Sequence, residues 1–329
     1  MIKDMKRNIF KHICQGTLLA AVALCTVSCE DELDSELFTK YSYLMNNGWQ
    51  ENIEMPINDD NTVDLPVYFG VNGTSGNDKD IIVKLDVDAD TLSLFNFDKF
   101  KNETASYYDL LPADCYTFDK PLYTIPKGDL NAKAVCRIDL ATLRQHDIYN
   151  EYVLPVKIAS SEGEVVGPSR YTKALYYLNF TNKYSGVYAG NGTIKQLGTS
   201  YSAEVAGKQL YAISKNECYM YAGNMDRTKT GHKQYVITAK FNDDGTLDVT
   251  ANNEAIALVP LNGKWQQKFY TNVSDSRKLI RMVTVTIGYE YSDLDNAEDD
   301  VRYSYEGTLT KSEDVFKKDF PNAKVEVED

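Results

Sequence analysis

The chain has 329 residues, about the length of two ordinary domains, and 43% of them are hydrophobic and 25% charged. These values exclude a wholly disordered chain and a protein with many membrane spans. The net charge is −13 and residues 1–28 carry +3 of it, so the rest carries −16, which argues against a nucleic-acid partner.

The N-terminus has the pattern of an export signal. A basic stretch precedes Ile13–Val27, an apolar run of about 15 residues that is short for a membrane span but typical of a signal peptide, which we place at residues 1–28. The following segment resembles a bacterial lipoprotein cleavage site, with Cys29 as the lipidated first residue and Cys25 as the weaker alternative. Residues 29–40 then form an acidic tether. Their similarity to the export signal of Bacteroidetes lipoproteins implies the outer face of the outer membrane.

The next region, residues 41–181, is predicted to be a β-sandwich domain. Apolar and polar residues alternate with the period of two that a half-buried strand requires, and turn-forming residues separate the runs. Asp139 before Leu140 is an N-cap signal, so we expect one short helix there. The period is ambiguous around Thr91–Lys101. The predicted strands are Val63–Val71, Val83–Ala89, Ala134–Leu140, Tyr152–Ala159 and Lys173–Phe180.

Residues 182–329 are predicted to form a second all-β domain. Short strands joined by tight turns favour an up-and-down antiparallel sheet, closed as a β-barrel or folded as a second β-sandwich. The last two strands are the clearest, and the acidic loop Asp293–Asp300 joins them. The earlier strands are predicted at Gly186–Ile194, Gln209–Ser214, Glu217–Gly223, Lys233–Phe241, Thr246–Ala251 and Ala255–Pro260.

Several short motifs in the first domain resemble a known family. Asp86-Val-Asp88, Tyr107–Pro112, Cys136–Leu140 and Tyr152–Pro155 occur in the order found in an N-terminal domain of unknown function of Bacteroidetes surface lipoproteins. The resemblance covers about residues 38–181 and implies an immunoglobulin-like sandwich. From Tyr184 to Leu309 the chain resembles the β-rich C-terminal partner domain of non-catalytic members. Such lipoproteins are encoded beside starch-utilisation-type transporters, so an outer-membrane transporter is an implied partner.

The sequence lacks the motifs of the common catalytic and metal centres. Only His146 and His232 remain after the signal peptide, too few for a histidine triad or a three-histidine zinc site. Three cysteines remain after Cys29, and we expect them to be buried free thiols, although Cys115 and Cys136 could pair. The glycosidase motif Asp-x-x-Asp-x-Asp-x-Glu of catalytic relatives does not occur. We therefore expect no catalytic residue set, no metal site and no cofactor.

The aromatic residues carry the remaining functional hypothesis. Sugar rings present apolar C–H faces that stack on Trp and Tyr, so we assign a ligand-binding role to the two Trp and to tyrosines of the second domain. The strongest candidates are Trp265 with Tyr270, near a predicted loop. The other candidates are Tyr219, Tyr221 and Trp49.

These inferences predict a surface lipoprotein of the outer membrane that binds a glycan without catalysis and assists polysaccharide uptake. Two alternatives remain open at this point. One is a glycoside hydrolase with a carboxylate pair in the second domain, since such a pair is defined by its separation in space. The other is a structural or adhesive partner of an outer-membrane complex, which would present an apolar or edge-strand surface.

Overall fold

The computed structural model describes residues 39–73, 76–296 and 300–326, which form two β-rich domains as predicted. The predicted signal peptide and Cys29 lie outside the described residues, as does most of the tether. Within the described part of the chain, every helix is too short or too polar to cross a bilayer.

The first domain consists of two facing sheets, with short helices in the connections between their strands. One sheet has the strand order β11-β1-β4-β9-β7 and the other the order β2-β12-β10-β5-β8, with β6 beside β10 and a separate β3–β13 pair. The helices are α1 (Ala89–Phe100), α2 (Leu140–Leu143) and α3 (Ser169–Thr172). The strands are β1 (Tyr41–Leu44), β2 (Gly48–Gln50), β3 (Met55–Pro56), β4 (Thr62–Val71), β5 (Ile81–Val87), β6 (Asp109–Leu110), β7 (Tyr116–Phe118), β8 (Tyr123–Ile125), β9 (Asn131–Asp139), β10 (Tyr152–Glu162), β11 (Val165–Val166), β12 (Lys173–Tyr177) and β13 (Phe180–Thr181).

The alternation seen in the sequence is what builds the sandwich core. In β4 the side chains of Val63, Leu65, Val67 and Phe69 are fully buried, while the residues between them are partly or fully exposed. The cysteines of this domain and Cys218 are buried and free, as predicted. The N-cap prediction is also confirmed, because the Asp139 side chain accepts hydrogen bonds from two backbone amides of α2.

The ambiguous segment after β5 is a helix. It begins at Ala89, the residue at which we predicted that the strand would end, and β5 itself ends at Val87. Leu92 and Asn96, one helical turn apart, are the buried residues of α1. Asp88 precedes this helix and is buried, although the alternation in the predicted strand Val83–Ala89 would place it with the exposed residues. Its carboxylate accepts a hydrogen bond from Lys157 at 3.1 Å and pairs with Lys173 at 2.7 Å.

The second domain is one curled, nine-stranded sheet with the order β18-β17-β16-β15-β14-β21-β20-β19-β22. Apart from the β14–β21 pair and the short final strand, all neighbours are consecutive in sequence, which is the predicted up-and-down arrangement. The strands are β14 (Gly186–Gln196), β15 (Ser202–Ala212), β16 (Glu217–Tyr221), β17 (Val236–Phe241), β18 (Leu247–Ala251), β19 (Val259–Thr271), β20 (Lys278–Ser292), β21 (Arg302–Phe316) and β22 (Val325–Glu326).

The sheet curls until β18 and β19 meet. Thr246 forms an isolated bridge with Lys264, and the Trp265 backbone amide donates to the Gly245 carbonyl at 2.9 Å. Gly263 permits this approach, because a Cβ there would lie 2.2 Å from the Leu247 carbonyl oxygen. Trp265 therefore lies within a 13-residue strand and contacts the turn between β17 and β18. The strand predicted at Ala255–Pro260 is wrong: a 3₁₀ turn occupies Glu254–Ile256, and β19 begins at Val259.

The two domains share a continuous set of buried apolar residues. Arg144, just after α2, forms an ion pair of 2.6 Å with Glu217 on β16. The Tyr149 hydroxyl lies 3.0 Å from the Thr238 hydroxyl, and its ring packs edge-on against Tyr219. The junction therefore combines apolar packing with ion pairs and hydrogen bonds between the domains.

Candidate functional site

The five aromatic residues proposed from the sequence do not form one site. Tyr219 and Tyr221 are neighbours on β16, and both are buried, with ring centroids 5.9 Å apart. Trp265 packs edge-on against Tyr184 at 5.0 Å, and its indole nitrogen donates to the Asn242 carbonyl. Tyr270 lies five residues further along the same strand, so its side chain points to the opposite face.

Trp49 lies in the other domain, inside an aromatic cluster on α1. Its ring stacks on Phe95 at 4.6 Å and on Tyr108 at 5.0 Å. The Lys99 ammonium lies 5.2 Å from the Trp49 centroid and donates a hydrogen bond to the Tyr108 hydroxyl. The stacking surface of Trp49 is thus occupied by the domain's own side chains.

A different group of tyrosines surrounds a cavity at one end of the second domain. Tyr201, Tyr235, Tyr291 and Tyr303 line a space of about 190 Å³, and we call these rings and their cavity the tyrosine mouth. In an up-and-down sheet every second turn lies at the same end. The connections β14–β15, β16–β17 and β20–β21 therefore meet here and bring the four rings together.

The rings of the tyrosine mouth support one another. Tyr291 and Tyr303 are stacked with centroids 5.7 Å apart, and Tyr201 approaches Tyr303 edge-on at 6.3 Å. Tyr235 and Tyr291 are buried, whereas Tyr201 is 53% exposed. The mouth thus has a fixed aromatic floor and one exposed ring at its rim.

Carboxylates and an amide complete this rim. The Tyr235 hydroxyl donates to Asp293 at 2.9 Å, and the same carboxylate accepts from the backbone amide of Asp295. Burial, together with this hydrogen bond, raises the pKa of Tyr235 to about 12, so the phenol stays protonated. Asp295 and Asn224 also line the cavity and are exposed. An aromatic floor with hydrogen-bonding groups at its edge is suited to a sugar ring.

A larger cleft of about 690 Å³ lies between the two domains. Residues 100–108 of the first domain form one wall and residues 227–233 of the second domain form the other. We call this space the interdomain cleft. The buried Asn96 side chain holds the first wall, because its amide group donates to the Tyr108 carbonyl and accepts from the Tyr108 amide. Lys229 lines both the cleft and the tyrosine mouth, so the two spaces adjoin.

Arg227 anchors the second wall in the domain junction. Its guanidinium lies 3.7 Å from the Tyr211 ring centroid and donates to the hydroxyls of Tyr177 and Tyr219. It also lies 3.5 Å from the Glu151 carboxylate. Because Tyr177 and Glu151 belong to the first domain, Arg227 connects the two domains at the base of the cleft.

Lys208 on β15 is buried in the interior of the curled sheet. Its ammonium donates to the carbonyls of Tyr221 and Gly223 and lies 5.5 Å from the Tyr305 ring centroid. Burial lowers the pKa of Lys208 to about 7.

Within the described residues, Asp114, Cys115 and His146 form a group whose donor atoms are within 4.8 Å of one another and could hold a metal ion. His146 lies 3.0 Å from the Asp114 carboxylate. Burial and the neighbouring Asp114 raise the pKa of Cys115 to about 11, so the sulfur is a protonated thiol at neutral pH. The arrangement is that of a histidine in hydrogen-bonding contact with an aspartate, beside a buried thiol.

Sequence reasoning did not identify the tyrosine mouth as a site. The sequence places Asp293 in the acidic loop between the last two strands, and no binding role was assigned to that loop. The missing signal was topological. The up-and-down order brings Tyr201 and Tyr235 from distant turns to the same end of the sheet.

Comparisons with known proteins agree with the two-domain description. Residues 34–165 match the family model of an N-terminal domain, and residues 172–310 match the model of a C-terminal domain. No functionally curated protein matches the chain.

Several solved structures from Bacteroides share the fold over nearly their whole length. A Bacteroides ovatus protein of unknown function has a TM-score of 0.73 and 20% identity, over 85% of this chain and 97% of its own. A Bacteroides ovatus multidomain protein including DUF1735 has a TM-score of 0.72 and 19% identity, over 84% and 96% of the two chains. An auxiliary nutrient binding protein from Bacteroides thetaiotaomicron has a TM-score of 0.69 and 20% identity, over 83% and 93%. The predicted likeness to two-domain Bacteroides proteins is confirmed at the level of the fold.

Proposed function

We propose that the protein is a non-catalytic glycan-binding protein, anchored through Cys29 to the outer face of the outer membrane, where it assists polysaccharide uptake. The tyrosine mouth is the binding site in this proposal. An outer-membrane transporter is the partner that would receive the captured glycan.

The observation that carries the proposal is the combination of aromatic rings and hydrogen-bonding groups around a cavity of about 190 Å³. This volume suits about one sugar ring at a time. Tyr201 and Tyr303 offer stacking surfaces, and Asp295 and Asn224 offer partners for sugar hydroxyls. An aromatic contact contributes on the order of 1 kcal/mol beyond the area that it buries, which is about a fivefold change in Kd.

The comparisons add support of a coarser kind. One protein of the same fold is described as an auxiliary nutrient binding protein. A glycan captured at a cell surface is a nutrient in this sense, and capture requires shape and stacking without a reaction centre.

Binding is tested by affinity electrophoresis of the protein beginning at residue 30, in native gels that contain starch, xylan, galactomannan, polygalacturonate or chondroitin sulfate. We expect retardation by at least one polysaccharide and its loss in Tyr201→Ala and Tyr303→Ala. Tyr68→Ala is the matched control, because Tyr68 is an exposed ring on β4 of the first domain. The proposal would be contradicted if the polysaccharide retarded both mouth variants as strongly as the wild type, or if the protein released reducing ends from the polysaccharide.

The anchor is tested separately in cells. We expect Cys29→Ser to abolish incorporation of labelled fatty acid and to release the protein from the outer membrane. Proteinase K added to intact cells should digest the wild-type protein. Full protection from the protease would show that the protein faces the periplasm and would refute the surface location.

A further inference from the structure

The interdomain cleft continues the tyrosine mouth. Lys229 lines both spaces, and the loop that contains it forms one wall of each. A glycan with one sugar in the mouth can therefore place its next sugars in the adjoining cleft. The cleft volume of about 690 Å³ is large enough for more than one further sugar ring.

The wall contributed by the second domain is basic in an otherwise acidic protein. Residues 227–233 include Arg227, Lys229 and Lys233 and contain no acidic residue. Glu151 balances Arg227 through their ion pair. Among the acidic residues that line the cleft, the two lysines then face Glu103, and Lys229 also faces Asp293 and Asp295 of the tyrosine mouth. The cleft thus keeps a local positive charge although the chain after residue 28 carries −16.

The same wall contains two buried side-chain nitrogens, Nε of Arg227 and Nε2 of His232, that lack a hydrogen-bond partner in the part of the chain that the structure describes. Thr228 and Thr230 add hydroxyl groups to the lining. Neutral sugars do not need the lysine charges, whereas a carboxylate or sulfate ester gains charge-assisted hydrogen bonds from them.

We propose that the interdomain cleft binds the negatively charged sugar of an acidic oligosaccharide whose neighbouring sugar occupies the tyrosine mouth. This inference rests on the proposed function and adds the ligand class: a glycan that carries uronate carboxylates or sulfate esters. Lys229 and Lys233 are its charge-recognising residues. The first domain contributes the opposite wall, so both domains take part in binding.

The test is calorimetric titration of the protein beginning at residue 30 with tetragalacturonate, a chondroitin sulfate tetrasaccharide and uncharged maltotetraose. We expect an acidic probe to bind at least tenfold more tightly than maltotetraose. The double variant Lys229→Gln, Lys233→Gln should bind that probe at least tenfold more weakly and lose most of the salt dependence of binding. Lys240→Gln is the matched control, because Lys240 is exposed on β17 away from the cleft lining.

The outcomes separate the two proposals. A preference for tetragalacturonate identifies the carboxylate as the recognised group. The chondroitin sulfate probe carries both carboxylates and sulfates, so a preference for it identifies the sulfate when the unsulfated chondroitin tetrasaccharide binds more weakly. If neutral glycans bind and the acidic probes bind no better, or if the double variant binds an acidic probe as the wild type does, the acidic-glycan inference is overturned and glycan binding stands. If neither these probes nor the polysaccharide gels show binding, both proposals fail. Circular dichroism of each variant confirms that a loss of affinity is not a loss of folding.

Discussion

Replacing Lys208 by Met should change how the stability of the protein depends on pH. The ammonium is buried inside the curled sheet and is held by two backbone carbonyls, with no carboxylate in hydrogen-bonding contact among the described residues. Burial disfavours the charged form, and Lys229 adds a smaller effect in the same direction, so the pKa falls from 10.5 to about 7.

The sign of the effect follows from proton binding. Between pH 7 and pH 10.5 the unfolded chain holds the Lys208 proton and the folded protein has largely released it, so the free energy of unfolding rises with pH in this range. With about 1.4 kcal/mol per pKa unit, the cost of burying Lys208 falls by about 2 kcal/mol between pH 7 and pH 9. Lys208→Met removes this dependence.

The measurement is urea denaturation of both proteins at several values between pH 7 and pH 9. The buried cysteines and tyrosines titrate in both proteins, so their contributions cancel in the difference. Met leaves the carbonyls of Tyr221 and Gly223 without the ammonium, which lowers stability at every pH by about the same amount. We expect the wild type to gain about 2 kcal/mol relative to the variant over this range. Lys240→Met, on the exposed face of β17, should give a constant difference.

A constant difference for Lys208→Met would refute the reasoning. It would mean that the ammonium is as well solvated as that of Lys240, and that the curled sheet admits water to its interior.

Three further predictions concern stability. Burial opposes ionisation of Asp88, but hydrogen bonds from two lysines and a threonine outweigh it and lower its pKa to about 2. Asp88→Asn should therefore lower the free energy of unfolding by about 2 kcal/mol above pH 4. In an acid titration followed by circular dichroism, this advantage of the wild type should vanish as the pH falls towards 2. Gly263→Ala should cost about 1–3 kcal/mol in urea denaturation, because its Cβ meets the Leu247 carbonyl; an unchanged midpoint would mean that the two strands do not touch. Trp265→Phe loses the hydrogen bond to Asn242 and should cost about 1 kcal/mol without changing polysaccharide retardation, whereas lost retardation would assign this ring to the binding site.

The fold was largely predictable because its strands follow a simple alternation. The buried faces of β4, β20 and β21 repeat every second residue, so local pattern and burial agree. β19 was missed for a physical reason. Asn262-Gly263 has the composition of a turn, but the glycine is needed where two strands approach within contact distance, and that approach depends on how the sheet curls.

The candidate site was less predictable because its parts are distant in sequence. Tyr201 and Tyr235 come together with Tyr291 and Tyr303 only after the sheet has formed. A propensity to stack on sugars was assigned to Trp265 from its polar neighbours, yet its ring is used for packing against Tyr184. Residue type indicates what a side chain can bind, and topology decides whether it faces solvent.

The Arg227 junction has a mechanical consequence. Because one guanidinium engages Tyr177 and Glu151 on one side and Tyr219 on the other, bending between the sheets would break several contacts at once. If the protein is attached through Cys29 as proposed, its two domains would move about the acidic tether as one rigid unit. The distance between the tether and a sugar in the tyrosine mouth would then hardly vary. The distance of the binding site from the membrane would be set by the length of the tether. Deleting part of residues 30–38 would therefore bring the bound glycan closer to the membrane without changing its affinity.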